Sequence, residues 1–302
     1  MKKALLVYNP VAGKKVFAAK LDSLVGFFQQ RGWLLSPYRT SGIGEKGLKE
    51  VLDEAAFEAV IVAGGDGSVH HVVNLLLRAG LDIPLGIIPV GTANDFAAHL
   101  GLPPEVDECC TIIAEGETTR VDIGWASGSY FVNAASAGLL TDIPHMTDVG
   151  MKNVLGKLAY YLKGIEQIPN FRPIGVEIVT RDRLVKEEML LFLILNGHTA
   201  GGFTHLAPRA SIEDGAFDVI MVRPCNLGQL LSLFVKLIKG EHINDPRVEY
   251  FQASQVIINC SQAIDTDLDG EQGPGFPLEI KVLPQRLPVF TKKFRVRQEK
   301  RF

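Results

Sequence analysis

The segment Gly64-Gly65-Asp66-Gly67-Ser68 concentrates more chemistry than any other stretch of this chain. Glycines admit positive φ and let a ligand approach the backbone closely. The apolar run at residues 59–63 before it reads as a buried parallel strand. Val69, Val72, Val73, Leu76 and Leu77 after it recur at helical spacing. A strand, a glycine turn and a helix start form a phosphate cradle, because the helix N-terminus offers N–H groups and a favourable dipole. An aspartate inside that turn repels phosphate unless a cation or water stands between them. The segment therefore predicts a nucleotide held together with Mg²⁺.

Similar polar turns recur. The strand-like residues 85–89 end at Gly91-Thr92-Ala93-Asn94-Asp95, where Thr92 and Asn94 stand beside a helix start at Asp95 or Phe96. The first strand, residues 4–8, ends at Asn9-Pro10-Val11-Ala12-Gly13-Lys14, with Lys14 able to neutralise phosphate. Thr40 follows the second strand. In a parallel sheet these turns share the carboxyl edge, where ligands bind. Each alone is an ordinary helix-capping turn, but together they are hard to explain as ordinary loops.

The elements that position these turns change character along the chain. Residues 1–125 alternate strand and helix patterns, which predicts a doubly wound α/β domain. Residues 126–288 are dominated by short β-rich runs punctuated by Gly, Pro, Asn and Asp, which predicts a β-sandwich domain. Two amphipathic helices, over 155–168 and 227–239, interrupt the second pattern, and core packing is the default explanation of both. The tail at 289–302 is expected to pack back on the first domain.

Bulk properties narrow the function. A net charge of −3 gives no nucleic-acid signature. Cys109, Cys110, Cys225 and Cys260 form no C-x-x-C pair and join no histidine cluster, which argues against zinc and for reduced thiols. The apolar start is too short for a signal peptide and no run is long enough to span a bilayer, so a cytoplasmic protein with peripheral membrane contact is expected. The tail Lys292-Lys293-Phe294-Arg295-Val296-Arg297 interleaves cations with apolar groups and is a candidate for touching anionic membrane.

Four motifs occur in a fixed order: Asn9-Pro10-Val11-Ala12-Gly13, Gly64 to Ser68, Gly91-Thr92-Ala93-Asn94-Asp95-Phe96 and Asp269-Gly270-Glu271. With Gly156 to Tyr161 and Ala207 to Gly215, they resemble the soluble diacylglycerol kinase family, which includes sphingosine and ceramide kinases, over nearly the whole chain. The resemblance implies ATP bound between an α/β domain and a β-sandwich domain. It places phosphates against Gly64, Gly65, Asp66, Gly67 and Ser68, with Asn9, Pro10, Gly13, Lys14, Thr40, Thr92 and Asn94 nearby. It implies that Asp66, Asp95 and Asp122 organise Mg²⁺ and water, and that Asp214, with backbone carbonyls of Ser211 and Ala216, holds a second Mg²⁺. It makes Asp269 and Glu271 the catalytic segment, one of them accepting the proton of a lipid hydroxyl as it attacks the γ-phosphate. Read without it, the same segment is an acidic hairpin turn built on Asp-Gly. Phosphoryl transfer needs positioning and charge neutralisation more than covalent help, which suits these residues.

The expected reaction is phosphorylation of a lipid hydroxyl, with diacylglycerol as the leading acceptor. The partners are ATP and a lipid at a membrane surface, with a homodimer left open. An NAD kinase shares the Gly-Gly-Asp-Gly turn but not the 91–96 motif, and a catalytically decayed regulator is the non-enzyme alternative. Ser68 stands where the family usually has Thr, His70 and His71 replace Asn-Glu, Leu75 replaces a common Gly and Ala98 a common Arg. These departures bear on substrate identity and rate more than on the fold.

Overall fold

The computed structural model describes residues 1–10, 16–40, 46–54, 56–138 and 173–292. The chain divides into two compact units, Met1–Val121 with Leu287–Phe302, and Asp122–Arg286. The expected helix at 155–168, Gly13, Lys14 and the tail beyond Lys292 lie outside the described residues.

The first unit is built on parallel strands β1 (Lys2–Tyr8), β2 (Trp33–Arg39), β3 (Ala59–Gly64) and β4 (Leu85–Pro89) in the order β2-β1-β3-β4. Its helices are α1 (Val16–Ala19), α2 (Leu21–Gln29), α3 (Lys46–Glu54), α4 (Asp66–Arg78), α5 (Asp95–His99) and α6 (Val106–Glu115). All six β3 residues are buried, as a strand covered on both faces requires. Leu24 and Phe28 of α2 and Cys109, Cys110, Ile112 and Ile113 of α6 pack against Ala4, Leu6, Ile61 and Ile88. Phe290 joins that core, Val289 pairs parallel with Leu85, and Thr291 N–H donates to Glu117 O at 3.2 Å.

Strand β5 (Thr118–Ala126) carries the chain into the second unit, a β-sandwich. The strands that follow are β6 (Ser129–Phe131), β7 (Ala134–Gly138), β8 (Ile174–Val179), β9 (Leu184–Met189), β10 (Leu191–Leu195) and β11 (Phe217–Val222). Helix α7 (Leu227–Ile238) precedes β12 (Val248–Ala253), β13 (Gln255–Cys260), β14 (Thr266–Leu268), β15 (Glu271–Gln272) and β16 (Leu278–Phe290). One sheet runs β12-β11-β10-β7-β14-β15; facing it, β13 pairs antiparallel with both β16 and β8, and β8 with β9. Strand β10 explains its own uninterrupted apolar run. Phe192 and Ile194 enter the sandwich core with Phe217, Val219, Val256 and Ile280. Leu191, Leu193 and Leu195, on the opposite face, pack with Ile220, Val222 and Leu233 of α7. Burying one such side chain is worth roughly 1.5–3 kcal/mol, so both layers stabilise the sheet.

Helix α7 starts in a capping box: Gln229 N–H donates to Asn226 Oδ1 at 2.9 Å and Asn226 N–H to Gln229 Oε1 at 3.0 Å. It is apolar beyond what the core uses, with Leu233 its one buried residue and Leu227, Val235 and Ile238 exposed.

Candidate active site

In the first unit the candidate residues stand on one sheet edge. Register pairs Tyr8 with Arg39 and with Ala63, and Gly64 with Pro89, so four neighbouring strands end side by side. Asn9 follows β1, its N–H donating to Ala63 O at 3.2 Å. Thr40 follows β2 and donates to Tyr8 O through its N–H at 3.0 Å and its Oγ1 at 3.3 Å. Pro10 is next in chain, and both Asn9 and Pro10 are half-buried.

The glycine turn and the 91–95 turn touch. A Cβ on Gly91 would sit 2.3 Å from Gly65 Cα, and one on Gly65 would sit 3.1 Å from Gly91 Cα. Close backbone approach is therefore what these glycines provide. The positive φ also anticipated from the sequence is not used: Gly64, Gly65, Gly67 and Gly91 are absent from the left-handed residues, and Gly65, capping α4, is extended at φ −96°. Asp66 opens α4, and its Oδ1 accepts the N–H of Phe96 at 3.2 Å, tying the two helix starts together. Asn94 is the left-handed residue (φ 53°). Its side chain closes the turn rather than capping α5, Oδ1 accepting Gly91 N–H at 2.9 Å and Nδ2 donating to Gly91 O at 3.0 Å. Asp95 is buried, Ser68 half-buried, and Gly67 and Thr92 exposed. The edge thus presents polar groups and a helix N-terminus of 13-residue α4 to one region, an arrangement suited to an anion. Three of the departures have plain surroundings: His70 is bonded to Asn74, whose Nδ2 lies 3.3 Å from His70 Nε2 and 3.0 Å from its carbonyl, Leu75 is core, and Ala98 is exposed.

The second unit holds the remaining candidates. Asp122 is fully buried, with Gln285 N–H donating to Oδ1 at 2.7 Å and Gly215 N–H to Oδ2 at 2.6 Å. Its own N–H donates to Ile212 O at 2.7 Å, so Asp122 pins both ends of the 212–215 turn. In that turn Glu213 N–H donates to Ser211 Oγ at 3.3 Å and Ala216 N–H to Asp214 Oδ1 at 3.1 Å. Asp214 is exposed as a residue, yet partial desolvation of its carboxyl and then the charge of Asp122 push its pKa up, against the Ala216 N–H. Among the described residues no three His, Cys, Asp or Glu side chains cluster as a metal site. The donors at 211–216 are nonetheless all oxygen: the Asp214 carboxylate, the Ser211 hydroxyl and backbone carbonyls. That set fits a hard ion completing its shell with carbonyls and water, as Mg²⁺ does.

Asp269 and Glu271 occupy different environments. Asp269 (φ 56°) and Gly270 (φ 91°) form the two-residue turn between β14 and β15, the left-handed pair that Asp-Gly favours. The Asp269 carboxylate reaches past the turn: Val132 N–H donates to Oδ2 at 2.7 Å, and Asn133 and Ala134 N–H to Oδ1 at 2.8 and 3.0 Å. Glu271 stands exposed on β15 opposite Leu268.

Two groups here escaped the sequence reading. Asn196, fully buried after β10, donates through Nδ2 to Asp122 O at 2.8 Å and Val132 O at 3.0 Å. Asp218, also fully buried, accepts from Tyr250 Oη and, at 3.4 Å, from Gln252 Nε2. Burial raises the Asp218 pKa, opposed by Tyr250 and Gln252. A polar residue inside or directly after a wholly apolar strand is the available signal for both.

A parallel α/β unit with glycine turns at one edge, followed by a β-sandwich with a carboxylate-bearing hairpin, is the layout of a lipid-kinase family. The chain belongs to the diacylglycerol kinase family: residues 3–126 match the diacylglycerol kinase catalytic domain and residues 134–291 the YegS C-terminal NAD kinase beta sandwich-like domain. It is 37% identical to the diacylglycerol kinase of Bacillus subtilis (strain 168) over 302 residues, covering 99% of both chains. It is 35% identical to that of Staphylococcus epidermidis RP62A over 293 residues, 97% of this chain and 93% of the other. A crystal structure from Bacillus anthracis str. Sterne, solved as a candidate diacylglycerol kinase, matches with a TM-score of 0.81 at 26% identity, covering 97% of this chain and 96% of that one. The chain is thus an enzyme of the lipid-kinase type, a phosphotransferase with an alcohol acceptor.

Proposed function

We propose that this enzyme transfers the γ-phosphate of ATP to the free hydroxyl of diacylglycerol, giving phosphatidic acid. The observation that carries the reading is the shared edge of β1 to β4, where the touching Gly65 and Gly91 turns meet the N-terminus of α4. Asn9, Pro10, Thr40, Gly64, Gly65, Gly67, Ser68, Thr92 and Asn94 would line the triphosphate, with Gly13 and Lys14 from the same loop as Asn9. Asp66 and Asp95 would orient Mg²⁺ and its water there, while Asp122, whose carboxylate accepts the N–H groups of Gly215 and Gln285, would act within the second unit by holding the 212–215 turn. Asp214 and the carbonyls of Ser211 and Ala216 would hold a second Mg²⁺. When bound, the metal supplies charge neutralisation of the phosphates.

Of the two hairpin carboxylates, Glu271 is the better general base. Both Asp269 oxygens accept backbone N–H groups, whereas Glu271 is exposed and sits on a strand held by that same aspartate. Glu271 takes the hydroxyl proton as the acceptor oxygen attacks, while Asp269 fixes the hairpin. The lipid is met at a membrane surface, for which exposed Leu227, Val235 and Ile238 on α7, a helix with no acidic residue, offer an apolar contact.

The test is transfer of labelled γ-phosphate in mixed micelles with Mg²⁺, offered diacylglycerol, monoacylglycerol, ceramide, sphingosine and NAD separately. Label in phosphatidic acid is expected. Label in NADP, the outcome that the NAD kinase-like sandwich match makes worth including, contradicts the lipid acceptor.

A further inference from the structure

We infer that Asn196 is a positioning residue for phosphoryl transfer, locking the strand of Asp122 to the hairpin that carries Glu271. The inference rests on the reading of Glu271 as the base, and it starts from a continuous hydrogen-bonded path within the second unit.

Strand β10 pairs with β7, Leu195 opposite Ala134, so the next residue, Asn196, falls beside Asn133. Its N–H donates to Asn133 O at 2.8 Å. Its side-chain Nδ2 divides its two protons between Asp122 O at 2.8 Å and Val132 O at 3.0 Å. Both acceptors are carbonyls, which fixes the amide orientation: turned over, Oδ1 would face two oxygens. The segment that Asn196 grips from its carbonyl side, Val132 to Asn133, is the one that Asp269 grips from its N–H side. Asp269 N–H in turn donates to Ala134 O at 3.0 Å, closing the loop onto the hairpin. From Asp122 the path continues through Gly215 N–H to the 211–216 turn.

One buried amide therefore joins three pieces of chain separated widely in sequence: the middle of β5, the β6–β7 loop and, through Asp269, the β14–β15 hairpin. Within the hairpin β14 is anchored by pairing with β7, but β15, the strand that carries Glu271, is two residues long and pairs with β14 alone, so its placement depends on the turn that Asp269 holds. A base must stand within about an ångström of its productive place, so slack passed along this path reaches the chemistry even though Asn196 touches no substrate.

Asn196→Asp is close to isosteric and replaces the two donors by an oxygen facing two carbonyls. The expected result, measured on folded protein well below its melting temperature, is a fall in kcat of about 100-fold with the KM for ATP within about twofold. Amide hydrogen exchange is expected to quicken at residues 132–134 and 269–271 while the rest of the unit keeps its protection. Val256→Ala, a sandwich-core truncation away from this path, serves as the stability control and should slow turnover little. Should the aspartate variant fail to fold, Asn196→Ser, which keeps one donor, is put through the same measurements. A kcat within threefold of the control, or exchange that rises evenly across the unit, overturns the inference. The exchange readout needs no substrate, so failure of the lipid assay with wild-type protein would count against the lipid-kinase reading alone.

Discussion

At the scale of single residues, the same acidic side chain does different work according to the donors around it. Asp269 accepts three backbone N–H groups while Glu271, two positions on, faces solvent. Glu271→Gln removes a proton acceptor and leaves the hairpin intact, so kcat should fall by about 10²–10⁴ with thermal stability unchanged, read by steady-state kinetics and melting curves. Asp269→Asn turns one acceptor oxygen into a donor facing amide N–H groups, and should lower unfolding free energy by about 3 kcal/mol in urea titration. A preserved stability would mean the three contacts are not made in solution. His242 gives a pH prediction. It is buried, with Nε2 2.8 Å from Leu206 O, and desolvation lowers its pKa below the ordinary 6.5. The unfolded chain therefore takes up the proton first, and stability falls as pH drops through 6.5 toward the folded value. Urea midpoints at successive pH values from neutral to mildly acidic should show this slope, and His242→Gln should flatten it.

At the scale of elements, the parallel strands and glycine turns were legible because their signals are local: apolar runs of strand length, each ending in a polar turn. What the sequence did not disclose was how the turns use their glycines. The contact between Gly65 and Gly91 joins turns 26 positions apart, and no local pattern encodes it. Gly91→Ala places a methyl against backbone rather than a side chain able to move aside, so it should cost about 1–3 kcal/mol and raise the KM for ATP at least tenfold. A KM within twofold would show that the turns separate without harm to the nucleotide site. Strand β7 gives little signal in the sequence for a related reason. Its sequence, Ala-Ala-Ser-Ala-Gly, has little β-propensity, yet it lies between β10 and β14, and a Cβ on Gly138 would meet Leu190 O at 2.4 Å. Close packing selects small residues there. Likewise β9, with the charged run Lys186-Glu187-Glu188 at its centre, gives no alternating strand signal of its own and takes its place from pairing with β8.

At the scale of the whole molecule, the candidate residues divide between the two units. The first has the glycine-lined sheet edge; the second has the carboxylate hairpin, the 211–216 turn and the Asn196 path between them. Family membership extends over both, with relatives matched along nearly their full length. The ordered motifs announced that family from sequence, but they could not separate Asp269 from Glu271, because the donors that distinguish them come from residues 132–134, more than a hundred positions earlier. The measurement that bears most directly on the account is single-turnover transfer of labelled γ-phosphate from ATP to diacylglycerol, comparing the wild-type enzyme with Glu271→Gln, alongside ATP binding by both. Labelled phosphatidic acid is expected from the wild type, with a rate lower by at least about 100-fold in the variant and equal ATP affinity. A variant that transfers phosphate within threefold of the wild-type rate would contradict the account.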